Sequence, residues 1–435
     1  MSWEYILLLY VLIFLGLLAG GVWIGTALGI TGLIGLTMLK GFPLWQSIGE
    51  VFWNISNSFT LTAVPLFVFM GVIILKSGIS KRFYKGISCW LRPIPGGLLH
   101  SNIVGCAIFA AISGSSTATA MAIGTVAIPE MRSRGYDDPT LLGSLAAGGC
   151  LGILIPPSIP MVIYGSIVQE SIADLFMAGF LPGILLSLLF MVYILIRVLI
   201  NPRLAPREEN RASAKELLKG LFDCWPIGLL IFLIMGGIYF GIVTPTEAAA
   251  IGCGASILLS IIYRELTWKS FWEALSEGVA ANCVVMFIIV GAQIFTFAIV
   301  SSGIHRELSN FIISAHIETW QFMVILVIMY GLMGCFIDGI SMMLLTIPTI
   351  YPTIKALGIN GVWFGVFLVL MIEWGQITPP VGLNLFAIQA ISGGRSLSYI
   401  VRAALPYCVP ILITFVLIYL FPEIALYLPR TMNVK

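Results

Sequence analysis

The sequence predicts an all-α polytopic membrane protein made of two inverted repeats, each with five transmembrane crossings and one re-entrant hairpin. Hydrophobic residues make up 59% of the 435 residues and charged residues only 10%, whereas about 25% is usual in soluble domains. Apolar runs long enough to cross a bilayer recur along the chain. Two proline pairs, Pro156-Pro157 and Pro379-Pro380, interrupt such runs at positions 223 residues apart.

The same offset aligns further prolines and so indicates an internal repeat. Pro129 aligns with Pro352, and Pro206 aligns with Pro429. Chance would give about half of one proline match at a given offset, and four occur. We therefore interpret residues 1–212 and 224–435 as two copies of one unit.

The two units follow one plan. The first has apolar spans near 5–19, 22–39 and 57–75, an interrupted stretch at 96–130, a broken span at 137–170 and a long span at 174–200. The second has the corresponding segments at 225–243, 246–263, 281–300, 320–355, 361–392 and 403–429. Amphipathic pieces at 43–55, 80–92, 267–280 and 304–317 are expected to lie along the membrane plane. The polar segment 201–220 is the predicted linker.

The interrupted stretches predict re-entrant hairpins, because each has a short polar run at its midpoint, at 112–117 and at 336–341. Five true crossings per unit is an odd number, so the second unit would be inserted upside down. With this count, 17 of the 22 Lys and Arg residues fall on one side, which is then cytoplasmic. Both termini are expected to lie outside.

Proline inside an apolar run breaks the helix, since it removes a donor and clashes with the preceding turn. Each break exposes helix carbonyls, which suit a desolvated cation, and helix amides, which suit an anion. Polar residues gather at these breaks in two clusters: Ser113, Ser115, Ser116, Thr117 and Ser158 in the first, and Asp338, Ser341, Thr378 and Asn384 in the second.

Other interpretations of these residues remain open. The serines of the first cluster would also suit close helix packing, and Asp338 would also serve as a helix N-cap. Glu373, one turn before the second hinge, would be a proton carrier, an ion ligand or, as we favour, a structural carboxylate.

Enzyme signatures are not found in the sequence. It contains no HExxH, GxSxG or Walker motif, so hydrolase and nucleotide-binding functions are not indicated. The eight cysteines are scattered without a CxxC pair, and we expect no organic cofactor and no metal other than Na+.

Several separated motifs together resemble the large membrane subunit of tripartite ATP-independent periplasmic (TRAP) transporters. They are SGSSTATA, VAIPEMRSRGYD, GILIPPSIPMVIYG, GIVTPTEAAAIG and EWGQITPPVGLNLF. The resemblance implies sodium-driven uptake of organic acids, chiefly C4-dicarboxylates and sialic acids, across the bacterial inner membrane. It also implies an elevator mechanism, a separate small four-helix membrane subunit and a soluble periplasmic substrate-binding protein.

The same resemblance assigns the site residues. One sodium site would lie at 113–117 and 156–158, and the other at 338–341 and 378–382. The implied cation-binding residues are Ser113, Gly114, Ser115, Ser116, Pro156, Ser158, Asp338, Gly339, Thr378, Pro379 and Gly382. The candidate solute-binding residues are Ser116, Thr117, Ser341 and Asn384.

Six segments follow from this architecture. Residues 1–95 would be the first scaffold part with arm helices, 96–170 the first transport-domain half, 171–224 a scaffold helix with the linker, 225–319 the second scaffold part, 320–392 the second transport-domain half and 393–435 the final scaffold helix.

A proton-coupled transporter using Asp338 or Glu373 is the alternative on the same architecture. An intramembrane enzyme lacks a suitable catalytic pair, and a passive channel would not need two opposed hairpins. The sequence does not identify the solute.

Overall fold

A computed structural model describes residues 3–40, 46–206, 213–379 and 382–432, and every regular element within these ranges is helical. The helices of the first half are α1 (Trp3–Ala19), α2 (Ile24–Lys40), α3 (Gln46–Ser56), α4 (Ala63–Lys76), α5 (Ile79–Leu91), α6 (Leu98–Ser113), α7 (Ser116–Ser133), α8 (Asp138–Gly149), α9 (Ile159–Val168) and α10 (Ile172–Ile200). Those of the second half are α11 (Ala214–Ile231), α12 (Gly237–Tyr239), α13 (Pro245–Ile262), α14 (Trp268–Ser302), α15 (Ile304–Ser314), α16 (Thr319–Met333), α17 (Gly339–Ala356), α18 (Gly361–Ile377), α19 (Leu383–Ile391), α20 (Leu397–Ala404), α21 (Cys408–Leu420) and α22 (Glu423–Thr431).

The helix bounds recur at the offset found in the sequence. Helices α7 and α17 each have 18 residues, and their first residues, Ser116 and Gly339, are 223 positions apart. Helices α8 and α18 begin at Asp138 and Gly361, again 223 positions apart. The chain therefore has the same order of broken helices in both halves.

Five helices in the described part of the chain are long and apolar enough to cross a membrane: Ile172–Ile200, Ala214–Tyr239, Pro245–Ile262, Trp268–Ser302 and Leu397–Leu420. A bent pair with a 55° angle, Ile48–Ser56 and Thr60–Lys76, would make a sixth span. Helix α10 leaves a stripe of large apolar side chains exposed at Leu188, Val192, Ile196 and Leu199. Such a stripe suits lipid, so the fold is that of a polytopic membrane protein.

The amphipathic piece predicted at 267–280 is not a separate helix. Helix α14 runs for 35 residues without a break, so the predicted segments 267–280 and 281–300 form one helix. No proline or polar turn interrupts this stretch. In the first half α3 ends at Ser56, and Ser58 accepts a hydrogen bond from the Leu61 backbone N–H at 3.5 Å. This local bond favours a turn over a continuous helix.

Two further boundaries differ from the predicted ones. The last span ends at Leu420, and α22 follows the break at Phe421-Pro422. Helix α11 begins inside the predicted linker, where a capping box forms because Ser213 and Glu216 each accept from the other's backbone N–H. It continues through a π-helical turn, Phe232–Gly236, into α12.

Two polar contacts join the broken helices of one half to those of the other. In the first, the Asp138 joint, Arg132 Nε and Arg395 Nε each donate to the Asp138 carboxylate at 2.7 Å. In the second, the Glu170 joint, the Tyr351 hydroxyl donates to Glu170 Oε1 at 2.6 Å. Helices α7–α9 are thus linked to the second half of the chain at two separate places, Arg395 just after α19 and Tyr351 in α17.

Candidate functional site

The first hairpin turns between α6 and α7. Gly114 ends α6 with a φ of +59°, a conformation that glycine adopts without strain. Ser115 then caps α7 by accepting from the Ala118 backbone N–H at 3.4 Å. The hydroxyls of Ser113 and Thr119 are 2.7 Å apart and hydrogen-bonded. The tip is therefore a turn with internal hydroxyl contacts, as its small polar composition predicts.

The first proline hinge lies directly against this tip. The chain leaves α8 at Gly149 and starts α9 at Ile159, with Ser158 accepting from the Met161 backbone N–H at 3.4 Å as the N-cap. The Ile159 backbone N–H donates to the Gly114 carbonyl at 3.5 Å. Pro156 and Ser158 are both buried. Tip and hinge of the first predicted cluster are thus brought together.

The second hairpin turns between α16 and α17. Asp338 caps α17, since its carboxylate accepts from the Ser341 backbone N–H at 3.1 Å. The predicted capping role of Asp338 is confirmed. Gly339 follows at the first turn, and a Cβ there would come within 2.5 Å of the Gln376 side-chain nitrogen. This close approach places the tip against α18.

The second hinge is described up to Pro379 and again from Gly382, whereas Pro380 lies outside the described residues. The Thr378 hydroxyl donates to the Trp374 carbonyl at 2.5 Å, and the Pro379 carbonyl accepts from the Cys335 thiol at 3.2 Å. Thr378 and Pro379 line an apolar groove beside α16, α18 and α21. Gly382, with a φ of +56°, leads into α19.

A central cavity of about 290 Å³ lies between the two hairpin tips. Its polar lining consists of Ser113, Ser115, Ser116, Thr117, Asp338 and Gln376. The opposite wall consists of apolar side chains from α4 and α14: Val68, Val72, Leu75, Ala281 and Val285. Cation candidates from both predicted clusters therefore face one space, whereas Thr378 and Pro379 line the separate groove.

Glu373 joins the two halves beside this cavity. The Ser116 hydroxyl donates to one oxygen of its carboxylate, and Asn384 Nδ2 lies 3.5 Å from the other oxygen. Glu373 and Asn384 are fully buried and Ser116 is nearly so. The first turns of α7 and α19 are therefore held by one carboxylate, a pairing that the sequence analysis missed.

Two solute-binding candidates keep unused hydrogen-bonding atoms. Ser341 and Asn384 are fully buried, and within the described part of the chain Ser341 Oγ and Asn384 Oδ1 have no hydrogen-bond partner. Buried polar atoms are nearly always satisfied by protein, water or a ligand. Both side chains are thus available to a bound ion, solute or water.

Gln376 and the α4 wall were also missed by the sequence analysis. Gln376 lies one turn beyond Glu373 in the EWGQ motif and lines the central cavity, so its position on the helix was a usable signal. On α4, a Cβ at Gly71 would come within 3.1 Å of the Ser113 Cα. No local pattern marks α4 as the element that lies against the first tip.

The donor set around the tips suits a hard cation. Hydroxyl and carbonyl oxygens of 113–115 and the Asp338 carboxylate are the groups at hand, and oxygen ligands are those that hard cations prefer. No group of three or more His, Cys, Asp or Glu side chains that would hold a metal ion occurs among the described residues. The residues therefore fit Na+ better than a transition metal.

Comparisons with known proteins agree along nearly the whole chain. The family model of the tripartite ATP-independent periplasmic transporter, DctM component, matches residues 11–424. The C4-dicarboxylate TRAP transporter large permease protein DctM of Pseudomonas aeruginosa is 34% identical over 414 residues, covering 94% of this chain and 95% of that protein. The sialic acid TRAP transporter large permease protein SiaM of Vibrio cholerae is 32% identical over 417 residues, covering 96% of each chain.

A solved structure supports the fold. The YdaH transporter of Alcanivorax borkumensis superposes with a TM-score of 0.61 at 12% identity, covering 89% of this chain and 87% of that chain. At that identity the likeness extends to the fold alone.

Proposed function

The chain belongs to the DctM component family of tripartite ATP-independent periplasmic transporters, and on that premise we propose that it is the large membrane subunit of a sodium-coupled importer of an organic acid. The observation that carries this proposal is the central cavity. It collects hydroxyls, a carboxylate and the first turns of α7 and α17 at the ends of two broken segments. Helix N-termini favour anions, and oxygen clusters favour cations.

Sodium would bind at the two tips. At the first tip, Ser113, Gly114 and Ser115 offer hydroxyl and carbonyl oxygens, and Ser158 caps the adjoining hinge. At the second tip, Asp338 offers a carboxylate beside Gly339. A cation at these places would screen the carboxylate and favour entry of an anionic solute.

The proposed solute is a carboxylic acid of the C4-dicarboxylate or sialic acid class, since relatives at 34% and 32% identity have those names. No Lys or Arg is among the described residues that line the central cavity. The carboxylate would therefore be held by helix N-termini and by the hydroxyls of Thr117 and Ser341. Ser116 already donates to Glu373, and the unused Asn384 Oδ1 would accept from a hydroxyl of the solute.

Movement would follow an elevator mechanism. The broken helices within 96–170 and 320–392 would form the moving body, held together by Glu373, by the hydrogen bond from Arg132 Nη2 to the Ser392 carbonyl at 2.8 Å, and by the Glu170 joint. The remaining segments would form the scaffold, whose α4 and α14 present an apolar wall to the tips. An apolar wall makes no hydrogen bonds that must break as the body slides.

Partners and orientation complete the proposal. The small four-helix membrane subunit and the soluble periplasmic binding protein would be separate chains, and the assembly would lie in the bacterial inner membrane. The second repeat would be inverted with both termini periplasmic. Cysteines at positions 209 and 434, both outside the described residues, should then label from opposite sides of the membrane, with 209 cytoplasmic.

The proposed function is tested in proteoliposomes that contain this chain, its small subunit and a loaded binding protein. We expect an inward sodium gradient at constant pH to accumulate radiolabelled succinate or N-acetylneuraminate above its external concentration. A matching choline gradient is the control. Accumulation that is equal in choline would contradict sodium coupling, and accumulation of neither probe would contradict the solute class.

Proton coupling on the same architecture is the second candidate. It is favoured by the buried carboxyl group of Glu373, which Ser116 of α7 contacts. A carboxyl group at membrane depth is a proton-carrier candidate. In that case a pH gradient without sodium should drive uptake, and Glu373→Gln should abolish the pH dependence.

A further inference from the structure

A second cavity, of about 280 Å³, lies beside α3, α9 and α14, and we call it the seam cavity. Its polar lining consists of Asn54, Ser58, Ser166, Gln169 and Gln293. None of the described residues that line it is charged. It is therefore a hydrogen-bonding space without a fixed ion pair.

The seam cavity and the central cavity lie one after the other along α14. Ala281 and Val285 line the central cavity, and Ile289 and Gln293 line the seam cavity. Each step of four residues turns by about 40° around the helix, so these residues form one continuous stripe that winds gradually around α14. Gln293 lies about 12 Å beyond Val285 along this stripe.

Helix α9 has the matching arrangement. Ile159 and Pro160 line the central cavity, whereas Ile163 and Ile167 line the seam cavity. Both cavities therefore border on α9 at one side and α14 at the other. In the proposed elevator mechanism, both cavities lie along one interface between the moving body and the scaffold.

The scaffold side of the interface is apolar at the central cavity and polar at the seam cavity. At the central cavity α14 contributes only Ala281 and Val285. At the seam cavity the scaffold contributes the side-chain amides of Asn54 and Gln293 and the hydroxyl of Ser58. Neither amide forms a hydrogen bond within the described part of the chain. Those groups are thus available to a polar partner.

We propose that the seam cavity is the scaffold's contact surface for the solute in the outward-facing state, with Gln293 as a specificity-determining residue. This inference rests on the proposed sliding of the moving body. A shift of the first tip by about two turns of α14 would bring 113–117 from Ala281 and Val285 to Ile289 and Gln293. The solute would then exchange an apolar wall for one that hydrogen-bonds its hydroxyl or carboxylate oxygens.

Directional release follows from the difference between the walls. A hydrogen bond to Gln293 strengthens binding only when the tip lies beside it, because the Ala281 and Val285 side chains at the central cavity have no donor. Gln293 is nearer than Val285 to Arg306, which the charge distribution predicts to lie outside, so this is the outward position. A contact that the solute makes in only one of two conformations raises the affinity of that conformation alone. The scaffold thus favours capture from outside and weaker holding inside.

The position of the tip is tested by crosslinking. Ala118→Cys, next to the first tip and lining the central cavity, is paired with Val285→Cys, with Gln293→Cys or with Phe287→Cys, in a background without native cysteines that retains uptake, and treated with a short bifunctional thiol reagent. Phe287 is the control because its ring lies against Gly25 of α2. We expect the 285 and 293 pairs to crosslink and to arrest uptake, and the 287 pair to do neither. Crosslinking at 285 without crosslinking at 293 would overturn the inference. Uptake by the untreated protein reports on the proposed function separately.

The chemistry of Gln293 is tested without cysteines. Gln293→Leu keeps side-chain size and removes the amide. Thr296→Val is the matched control one turn on, because among the described residues the Thr296 hydroxyl bonds only the Ala292 carbonyl, at 2.8 Å. With succinate or N-acetylneuraminate, whichever the unmodified protein takes up, we expect Gln293→Leu to raise the half-saturating concentration about fivefold from the outside. Its effect on efflux from inside-loaded vesicles should be under twofold. An unchanged outside value, or equal shifts on both sides, would overturn the role of Gln293.

Discussion

Ser116 of the first hairpin donates a hydrogen bond to the carboxylate of Glu373, a residue 257 positions further along the chain. The two residues lie in different halves of the chain, and both are shielded from solvent. Asn384 approaches the same carboxylate from α19. Glu373, which belongs to α18, therefore anchors both α7 and α19 through its carboxylate.

Replacing Glu373 with alanine should destabilise the protein, because Ser116 and Asn384 would lose a shared buried partner. The expected loss is about 3 kcal/mol, from two unsatisfied polar groups. Thermal unfolding of the purified protein measures it. Glu307→Ala, an exposed carboxylate on α15, is the control and should not change the melting temperature. Glu373→Gln should fold and keep the sodium dependence, whereas a melting temperature unchanged in Glu373→Ala would remove the anchor role.

Gly114→Ala should impair uptake through a collision as well as through backbone strain. A Cβ at Gly114 would lie 2.9 Å from the Pro157 carbonyl, so the tip must move away from its hinge. Gly303 has a similar positive φ, +75°, but its Cβ would meet no atom within 4 Å. Gly303→Ala is therefore a control for strain alone. Both proteins are compared by sodium-driven uptake, and equal activity would exclude a specific role for the Gly114–Pro157 approach.

Replacing Pro156-Pro157 or Pro379-Pro380 with Ala-Ala should allow helix to extend into the hinge. The carbonyls and amides at the hinge would then be consumed by helix hydrogen bonds. We expect normal membrane insertion and lost uptake in both double variants. Pro348 and Pro352 lie inside the continuous helix α17. Replacing both with alanine is the control for proline replacement outside a hinge. Uptake by both hinge variants at the unmodified rate would contradict the need for broken helices.

The Asp138 joint should tie α8 in the first half of the chain to Arg395, which follows α19 in the second half. Asp138→Asn removes the charge that pairs with Arg132 and Arg395, each at 2.7 Å. Because these groups are partly exposed, we expect a loss of only about 1 kcal/mol. A double-mutant cycle of Asp138→Asn and Arg395→Gln, followed by thermal unfolding, measures the coupling. Additive losses would mean that the pair does not link the halves.

The helix breaks were predictable because their causes are local. Proline removes a donor and glycine adopts positive φ wherever they stand in the chain, so the breaks at Gly114, 150–158 and Gly382 follow from the sequence. The capping of α17 by Asp338 was likewise visible in residue type and position. The 223-residue offset then extended these local features to the second half.

The contacts between the halves were not predictable, because no local rule selects a partner 257 residues away. The bond from Ser116 to Glu373 depends on how α7 lies against α18. The orientation of Thr378 towards the Trp374 carbonyl and an apolar groove depends on where α18 ends. The continuity of α14 was missed because amphipathic and apolar stretches are compatible with one long helix.

The observed role of Asp338 in capping α17 and its proposed role in binding sodium are separable by substitution. Asparagine caps a helix about as well as aspartate, whereas alanine does not. Asp338→Asn should therefore fold with nearly unchanged stability while its lost charge raises the sodium concentration for half-maximal uptake about tenfold, equivalent to about 1.4 kcal/mol. Asp338→Ala should show the same sodium shift and an added loss of about 1 kcal/mol in stability.

Ser115→Ala provides the comparison at the first tip, where the hydroxyl accepts from the Ala118 backbone N–H at 3.4 Å. If both tips bind sodium, each single variant shifts the sodium curve and the double variant shifts it further. Sodium-driven uptake by the purified protein, with its small subunit and a loaded binding protein, measures all four proteins. Unshifted curves in Asp338→Asn and Ser115→Ala would leave both residues as helix caps, the role that their bonds to the Ser341 and Ala118 backbone N–H groups show.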